Sequence, residues 1–256
     1  MSIDLVHENR ASVITFNKAP MNLLDTKTMD ALIEAHQEAD RHPDTRVIVT
    51  RSGIDGIFCN GLDPMFVLKT PVEERRTIFN AVGRMLHELL FLKKPHIAEL
   101  NGPAMAGGAI LAITADFRFM HAEIGKFCFA EAKVGLPVPK SVLGAIQLFC
   151  HPGALREVAM LGKNMDAAFA HRCGLADGLA DSREDLAELV RVQTARLARL
   201  SPAVLAATKR AMRDHLFEIT KSFADRPGEF MQFCGPEYLG EGLTALVENR
   251  PPVFNE

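Results

Sequence analysis

The sequence predicts an α/β protein, and three observations carry that prediction. The first half alternates short β-branched or aromatic runs with longer stretches of helical periodicity. From about residue 151 the strand-like runs give way to helical ones. With 256 residues, 48% of them hydrophobic and 24% charged, the chain has enough apolar material to close one large domain, or a main domain with an appendage.

The elements follow in order. "SVITF" (12–16) is a β-branched run of strand length. "TKTMDALIEAHQEADRH" (26–42) repeats apolar residues at helical spacing, with Asp25 placed to cap it. "RVIVTRS" (46–52) is a second strand, followed by the turn-rich "GIFCNGLDPMF" (56–66). There Asn60-Gly61 marks a turn, and Asp63 stands ready to cap a helix that begins at Pro64. "PVEERRTIFNAVGRMLHELLFL" (71–92) reads as a helix with Pro71 just inside its start. "HIAEL" (96–100) and "DFRFMH" (116–121) are further strands. Between them, in "NGPAMAGGAILAITAD" (101–116), Gly107 and Gly108 open a wholly apolar helix. Beyond 151, "GALREVAMLG", "DLAELVRVQTARLARL", "PAVLAATKRAMRDHLFEI" and "PEYLGEGLTALVE" all read as helical. No internal repeat and no low-complexity linker interrupts the pattern.

Bulk properties exclude several classes. A net charge of −3 gives no general attraction to nucleic acid or an anionic membrane. Five scattered cysteines without a CxxC pair fit neither a disulfide framework nor a zinc ribbon, and suit a reducing compartment. The apolar segment after Gly107 falls short of the roughly 20 residues of a membrane span. The opening residues show no basic region followed by a long apolar stretch. A cytoplasmic protein is expected, with import into an organelle left open.

Chemistry has two natural places, the glycine loops at 56–66 and 101–116. Each alone is equally an ordinary turn or a tight helix packing. As a pair they suggest more, because a backbone N–H from each, converging on one point, would make an oxyanion hole. An acid/base group is then required. Glu131, after Phe127, Cys128, Phe129 and Ala130, stands where burial would raise its pKa. The ordinary reading of such a glutamate is a strand-end residue paired with a lysine such as Lys133. Glu99 lies mid-strand, where a solvent- or interface-facing position is expected. Cys59 and Cys128 read as core cysteines. The chain has no HExxH, GxSxG, GxGxxG or P-loop pattern, so metal, nucleophile-elbow, dinucleotide and phosphate sites of those kinds are not indicated.

Several stretches, in order, carry a resemblance. "VITFNKAPMNLLDTKTMDAL", "FCNGLDPM", "KKPHIAELNGPAMAGGAILAITADFRFM", "FAEAKVGLPVP", "LGKNMDAAFAHRCGLADGLAD" and "SPAVLAATKRAMR" resemble the enoyl-CoA hydratase/isomerase (crotonase) superfamily over nearly the whole chain. The resemblance implies a crotonase-type spiral of ββα units over residues 1–195. It implies a helical C-terminal region over 196–256 in the same domain, at the interface of a homotrimer or dimer of trimers. It also implies that the backbone N–H groups of Leu62 and Gly107 hold the carbonyl of a coenzyme A thioester. Lys18, Met21, Asn60, Gly61, Ile110 and Pro137 would surround that substrate, and Met65, Phe66 and the helix at 71–92 would help wall the acyl pocket. No metal or redox cofactor is implied, since coenzyme A belongs to the substrate.

Hydratases of this superfamily carry two glutamates, and here the first position is Ile110 while the second is Glu131. A lone carboxylate suits a proton shuttle better than water addition. The resemblance therefore points to a Δ3,Δ2-enoyl-CoA isomerase. The alternatives are another single-glutamate member (an atypical hydratase, a hydrolase or a decarboxylase on a CoA or carrier-protein thioester) and a non-catalytic acyl-CoA-binding protein. Two departures stand out: Ala106 where many relatives have a further glycine, and Glu99 at a usually small position.

Overall fold

The computed structural model describes residues 2–226 and 228–254, so the outermost residues of the two expected regions, 1 and 255–256, lie outside it. β1 (Ile3–Glu8) and β2 (Ala11–Phe16) pair antiparallel across a two-residue turn. α1 (Thr26–Arg41) begins where the Asp25 carboxylate accepts from Thr28 N at 2.8 Å, as its cap position predicts. It buries Met29, Leu32, Ile33, His36 and Ala39, a spacing of three and four that makes one helix face. β3 (Val47–Ser52) then lies parallel to β2.

The next helical stretch breaks in two. α2 (Pro64–Lys69) is capped by Asp63 and ends where Thr70 N–H bonds back to Phe66 and Val67. Pro71 has no N–H to continue the ladder, so a single tight turn (Val72–Glu74) intervenes before α3 (Arg75–Leu90). The helix expected from Pro71 thus starts four residues late, with Pro71 outside it.

β4 (His96–Leu100), the short β5 (Ala104–Met105), α4 (Gly107–Ile113), β6 (Phe117–His121) and β7 (Lys126–Cys128) follow. Every residue of α4 is buried. That explains why the run after Gly107 carries no polar side chain, because it crosses the core with no solvent face. α5 (Lys140–Gln147) comes next. Strands do not disappear beyond 151, however. β8 (Met165–Asp166) pairs antiparallel with β7, α6 (Ala167–Arg172) follows it, and β9 (Gly178–Ala180) runs parallel to β6. At two and three residues these strands are too short to show alternation in the sequence. The run "GALREVAMLG" also differs from expectation, forming a π-helical turn at Arg156–Met160.

The result is a six-stranded sheet ordered β1-β2-β3-β4-β6-β9, parallel except at its first pair, and a small sheet β5-β7-β8. α7 (Arg183–Ala198) covers one face of the large sheet, packing Leu186, Val190 and Leu197 on Val47, Val49, Ile97 and Phe119. Ile48 faces the opposite core with α1, α3 and α4. Both faces are covered, so the strand reads as a continuous apolar run, as parallel sheets require.

α8 (Pro202–Arg213), α9 (Phe217–Asp225) and α10 (Glu241–Val247) complete the chain. α8 is inverted for a surface helix: it buries Lys209 and Arg213, while Val204 and Met212 are 63% and 57% exposed. These two buried cations reach Asp116, at 2.7 Å each. Among the described residues no helix is long and apolar enough to cross a membrane.

Candidate active site

Two chain segments are bolted together at the centre of the molecule. Cys59 N donates to Pro103 O at 3.0 Å and Met105 N to Cys59 O at 2.9 Å, so the 56–66 loop and β5 run side by side. Gly108 seals the contact, since a methyl group there would fall 2.0 Å from Cys59 O. Leu24 clamps the loop from the other side, with Leu24 N donating to Gly61 O at 2.8 Å and Asp63 N to Leu24 O at 3.0 Å.

This framework brings the two expected donors together. Gly61 takes φ +82°, open to glycine at no steric cost, and a methyl on it would lie 2.8 Å from Gly107 N. A methyl on Gly107 would lie 3.4 Å from Leu62 N and 3.2 Å from the Leu24 side chain. Glycine at both positions therefore keeps side chains off the donors. Among the described residues neither the Leu62 nor the Gly107 N–H has an acceptor. Gly107 is also the first residue of α4, where an unpaired N–H is intrinsic to helix geometry. Ala106, just before it, sits at φ +48°, a conformation that disfavours a side chain. This gives a physical reason for a glycine at that position in similar sequences.

Leu62 and Gly107 line a cavity of about 120 Å³ together with Asn60, Ile110 and Glu131. Glu131 begins a tight turn (Glu131–Val134) that Gly135 closes in the left-handed region at φ +73°. The carboxylate is 8% exposed, and its Oε2 atom has no hydrogen-bond partner among the described residues. Burial pushes its pKa up to about 7. The expected pairing with Lys133 does not form: Lys133 Nζ donates instead to Asn164 Oδ1 at 2.9 Å. Glu131 is thus a buried carboxyl group in a largely apolar chamber, poised to exchange a proton near neutral pH.

The other sequence candidates divide. Asn60 lines the cavity with its Oδ1 unpartnered, and Ile110, 6% exposed, supplies apolar wall beside Glu131. Met21 is 40% exposed and touches the site through its carbonyl, which accepts from Asn60 N at 3.2 Å. Lys18 is committed to the start of α1, bonding Asp25 and Thr28 at 2.7 and 3.0 Å. Pro137 is exposed and outside the cavity, which Leu136 and Pro139 line instead. Met65 and Phe66 do not line it either. The cap at Asp63 sets the phase of α2 so that Val67 points inward, joined from α3 by Phe79 and Val82.

Within the single chain Glu99 is largely withdrawn from solvent, which corrects the solvent-facing expectation and not the interface-facing one. It is 7% exposed in a groove between the large sheet and α7, where burial raises its pKa and Arg51 partly offsets the rise. Cys59 and Cys128 are buried with raised thiols, as core cysteines should be.

Sequence reasoning missed Asn22 and the roof. Asn22, buried at φ +52°, donates from Nδ2 to Phe16 O, Ser52 Oγ and Phe58 O, holding three segments around the first glycine loop. Its only sequence signal is asparagine's tolerance of left-handed backbone. The roof comes from the C-terminal segments, through Phe223, Phe230, Leu239, Leu243 and Leu246.

Comparison with known proteins gives matches over nearly the whole chain. A family profile described as enoyl-CoA hydratase/isomerase matches residues 7–256. The carnitinyl-CoA dehydratase of Salmonella typhi is 33% identical over 99% of this chain and 98% of its own. Human mitochondrial Δ3-Δ2-enoyl-CoA isomerase superposes with a TM-score of 0.90 at 18% identity, over 97% of this chain and 98% of that one. An enoyl-CoA hydratase from Bacillus halodurans gives 0.85 at 18% identity, over 96% and 100%.

Proposed function

The chain belongs to the enoyl-CoA hydratase/isomerase family and has its crotonase fold, and from that premise we propose that it is a Δ3,Δ2-enoyl-CoA isomerase. The observation that carries the proposal is that one carboxylate, Glu131, lines the cavity among the described residues, together with Leu62 and Gly107, whose N–H groups have no acceptor there, and with Ile110 where a second glutamate would stand.

The thioester carbonyl oxygen sits between the Leu62 and Gly107 N–H groups. Ionised Glu131 takes a proton from C2 of the 3-enoyl chain, and the electron pair of that C–H bond moves through C1 onto the oxygen. The dienolate that forms is held by both N–H groups, whose positions are fixed before substrate arrives. Protonated Glu131 then returns the proton to C4, the double bond settles between C2 and C3, and the carboxylate is regenerated. Ile110 and the apolar roof keep water from the intermediate. Mixing the protein with a 3-enoyl-CoA should produce the ultraviolet absorbance of the conjugated 2-enoyl thioester. No such absorbance from a folded protein that binds CoA thioesters would end this reading.

A second reading is favoured by Asn60, whose unpartnered Oδ1 shares the cavity with Glu131, and by the 33% identical relative named a dehydratase. The two side chains could hold a water between them, and the protein would then bleach a supplied 2-enoyl-CoA as it hydrates it. The exposed apolar face of α8 supports assembly as a trimer or a dimer of trimers through that helix. Light scattering should give three or six times the chain mass. A monomer at micromolar concentration would remove that assembly.

A further inference from the structure

Three side chains, Pro139, Phe223 and Phe230, belong at once to the catalytic cavity and to a second, larger hollow of about 680 Å³. They form the wall between the two. On the cavity side the lining away from Asn60 and Glu131 is apolar. On the far side it is mixed, with the charged Lys140, Glu218 and Arg226 interspersed among Val138, Ile219 and Phe233. The aromatic part of the wall is well supported. The Phe230 ring packs edge-on to Phe79 at 4.8 Å and 69°, and to Phe223 at 5.7 Å and 89°. All three rings are less than 10% exposed.

The space in front of this wall is small. At about 120 Å³ it is of the same order as the roughly 150 Å³ apolar cavity that accommodates six-carbon benzene. A longer chain would have to displace a packed ring to reach the far hollow, whose lining is broken by charged groups. We propose that Phe223 and Phe230 are the specificity-determining residues of the site, limiting the acyl group to about four to six carbons. This rests on the reading that the cavity receives the acyl part of a CoA thioester.

The test measures binding of saturated, unreactive esters by calorimetry, from acetyl- through butanoyl-, hexanoyl- and octanoyl- to decanoyl-CoA. Each methylene buried in the chamber should tighten binding about fourfold, equivalent to about 0.8 kcal/mol. The gain should stop at hexanoyl-CoA. In Phe230→Ala the break should move to octanoyl-CoA or beyond with the same initial slope. Phe230→Leu, which disturbs packing less, should move it part of the way. Affinity that keeps rising to decanoyl-CoA in the unaltered protein overturns the proposal, as does a break that stays at hexanoyl-CoA in whichever variant folds. If no ester binds better than free coenzyme A, this proposal fails together with the acyl-CoA reading. A break at hexanoyl-CoA without isomerisation leaves the wall standing and removes only the reaction.

Discussion

Replacing Glu131 by glutamine should abolish turnover and make the protein more stable at pH 8. The first effect follows from the proposed role, since the amide cannot accept the C2 proton; loss of such a general base costs on the order of 10²–10⁴ in rate. The second follows from burial. The carboxyl group titrates at about 7 in the folded chain against an ordinary 4.5. Between those values the native state keeps a proton that the unfolded chain has released. Stability from this group is therefore full below pH 4.5, declines as pH rises to about 7, and stays low above. The shift corresponds to at most about 3 kcal/mol. Glutamine's own buried amide will offset part of the gain. Urea midpoints should thus favour the variant by about 1–3 kcal/mol at pH 8 and converge near pH 4.5. In the unaltered protein kcat/KM should climb with pH and level off above about 7. A variant that still turns over, or that gains nothing at pH 8, would contradict the assignment.

Replacing Asp116 by alanine should be the most damaging single change outside the cavity. One oxygen accepts from Lys209 Nζ and from His96 N, each at 2.7 Å, and the other accepts from Arg213 Nη2 at 2.7 Å. Burial alone would raise this carboxyl group, but Lys209 and Arg213 outweigh it and hold its pKa below the usual value. Lys209 and Arg213 are 8% and 2% exposed, so the alanine variant strands two cations away from water. Breaking such a buried arrangement costs about 3–5 kcal/mol, or roughly 2–4 °C of melting temperature for each kcal/mol in a chain of this order of size. Asp116→Asn keeps an acceptor and should fall between. Hydrogen exchange should show α8 losing protection first. A loss under about 1 kcal/mol, no more than a surface pair contributes, would mean that α8 is held by something else.

Asp25, Asp63 and the two glycine loops were legible in the sequence because a cap and a left-handed turn need particular residues at one position. The position of Glu131 was legible too, but its lack of a partner was not. Whether it met Lys133 depended on Asn164, 33 residues away in the chain, which took the lysine. The same limit hid β8 and β9, whose pairing is set by neighbours and not by their own few residues. It hid the wall of the cavity as well. Phe223 and Phe230 read as apolar positions of C-terminal helical sequence, and nothing local says that they close the cavity that α4 also lines. For α8, periodicity predicted the helix but not which face turns inward, because that is set by Asp116, which draws Lys209 and Arg213 inside.

The contact of Gly108 with Cys59 has an evolutionary consequence. The donor pair is welded into the parallel-sheet half of the chain, where a single added methyl group would force the two loops apart. The acyl wall belongs mostly to C-terminal segments that the weld does not involve. On the proposed reading, chemistry and selectivity are therefore inherited on separate parts of one polypeptide. Substitutions at 223, 230, 239 or 243 can explore new substrates while the electrophile-activating machinery stays untouched. Change at 61, 107 or 108 risks both loops at once.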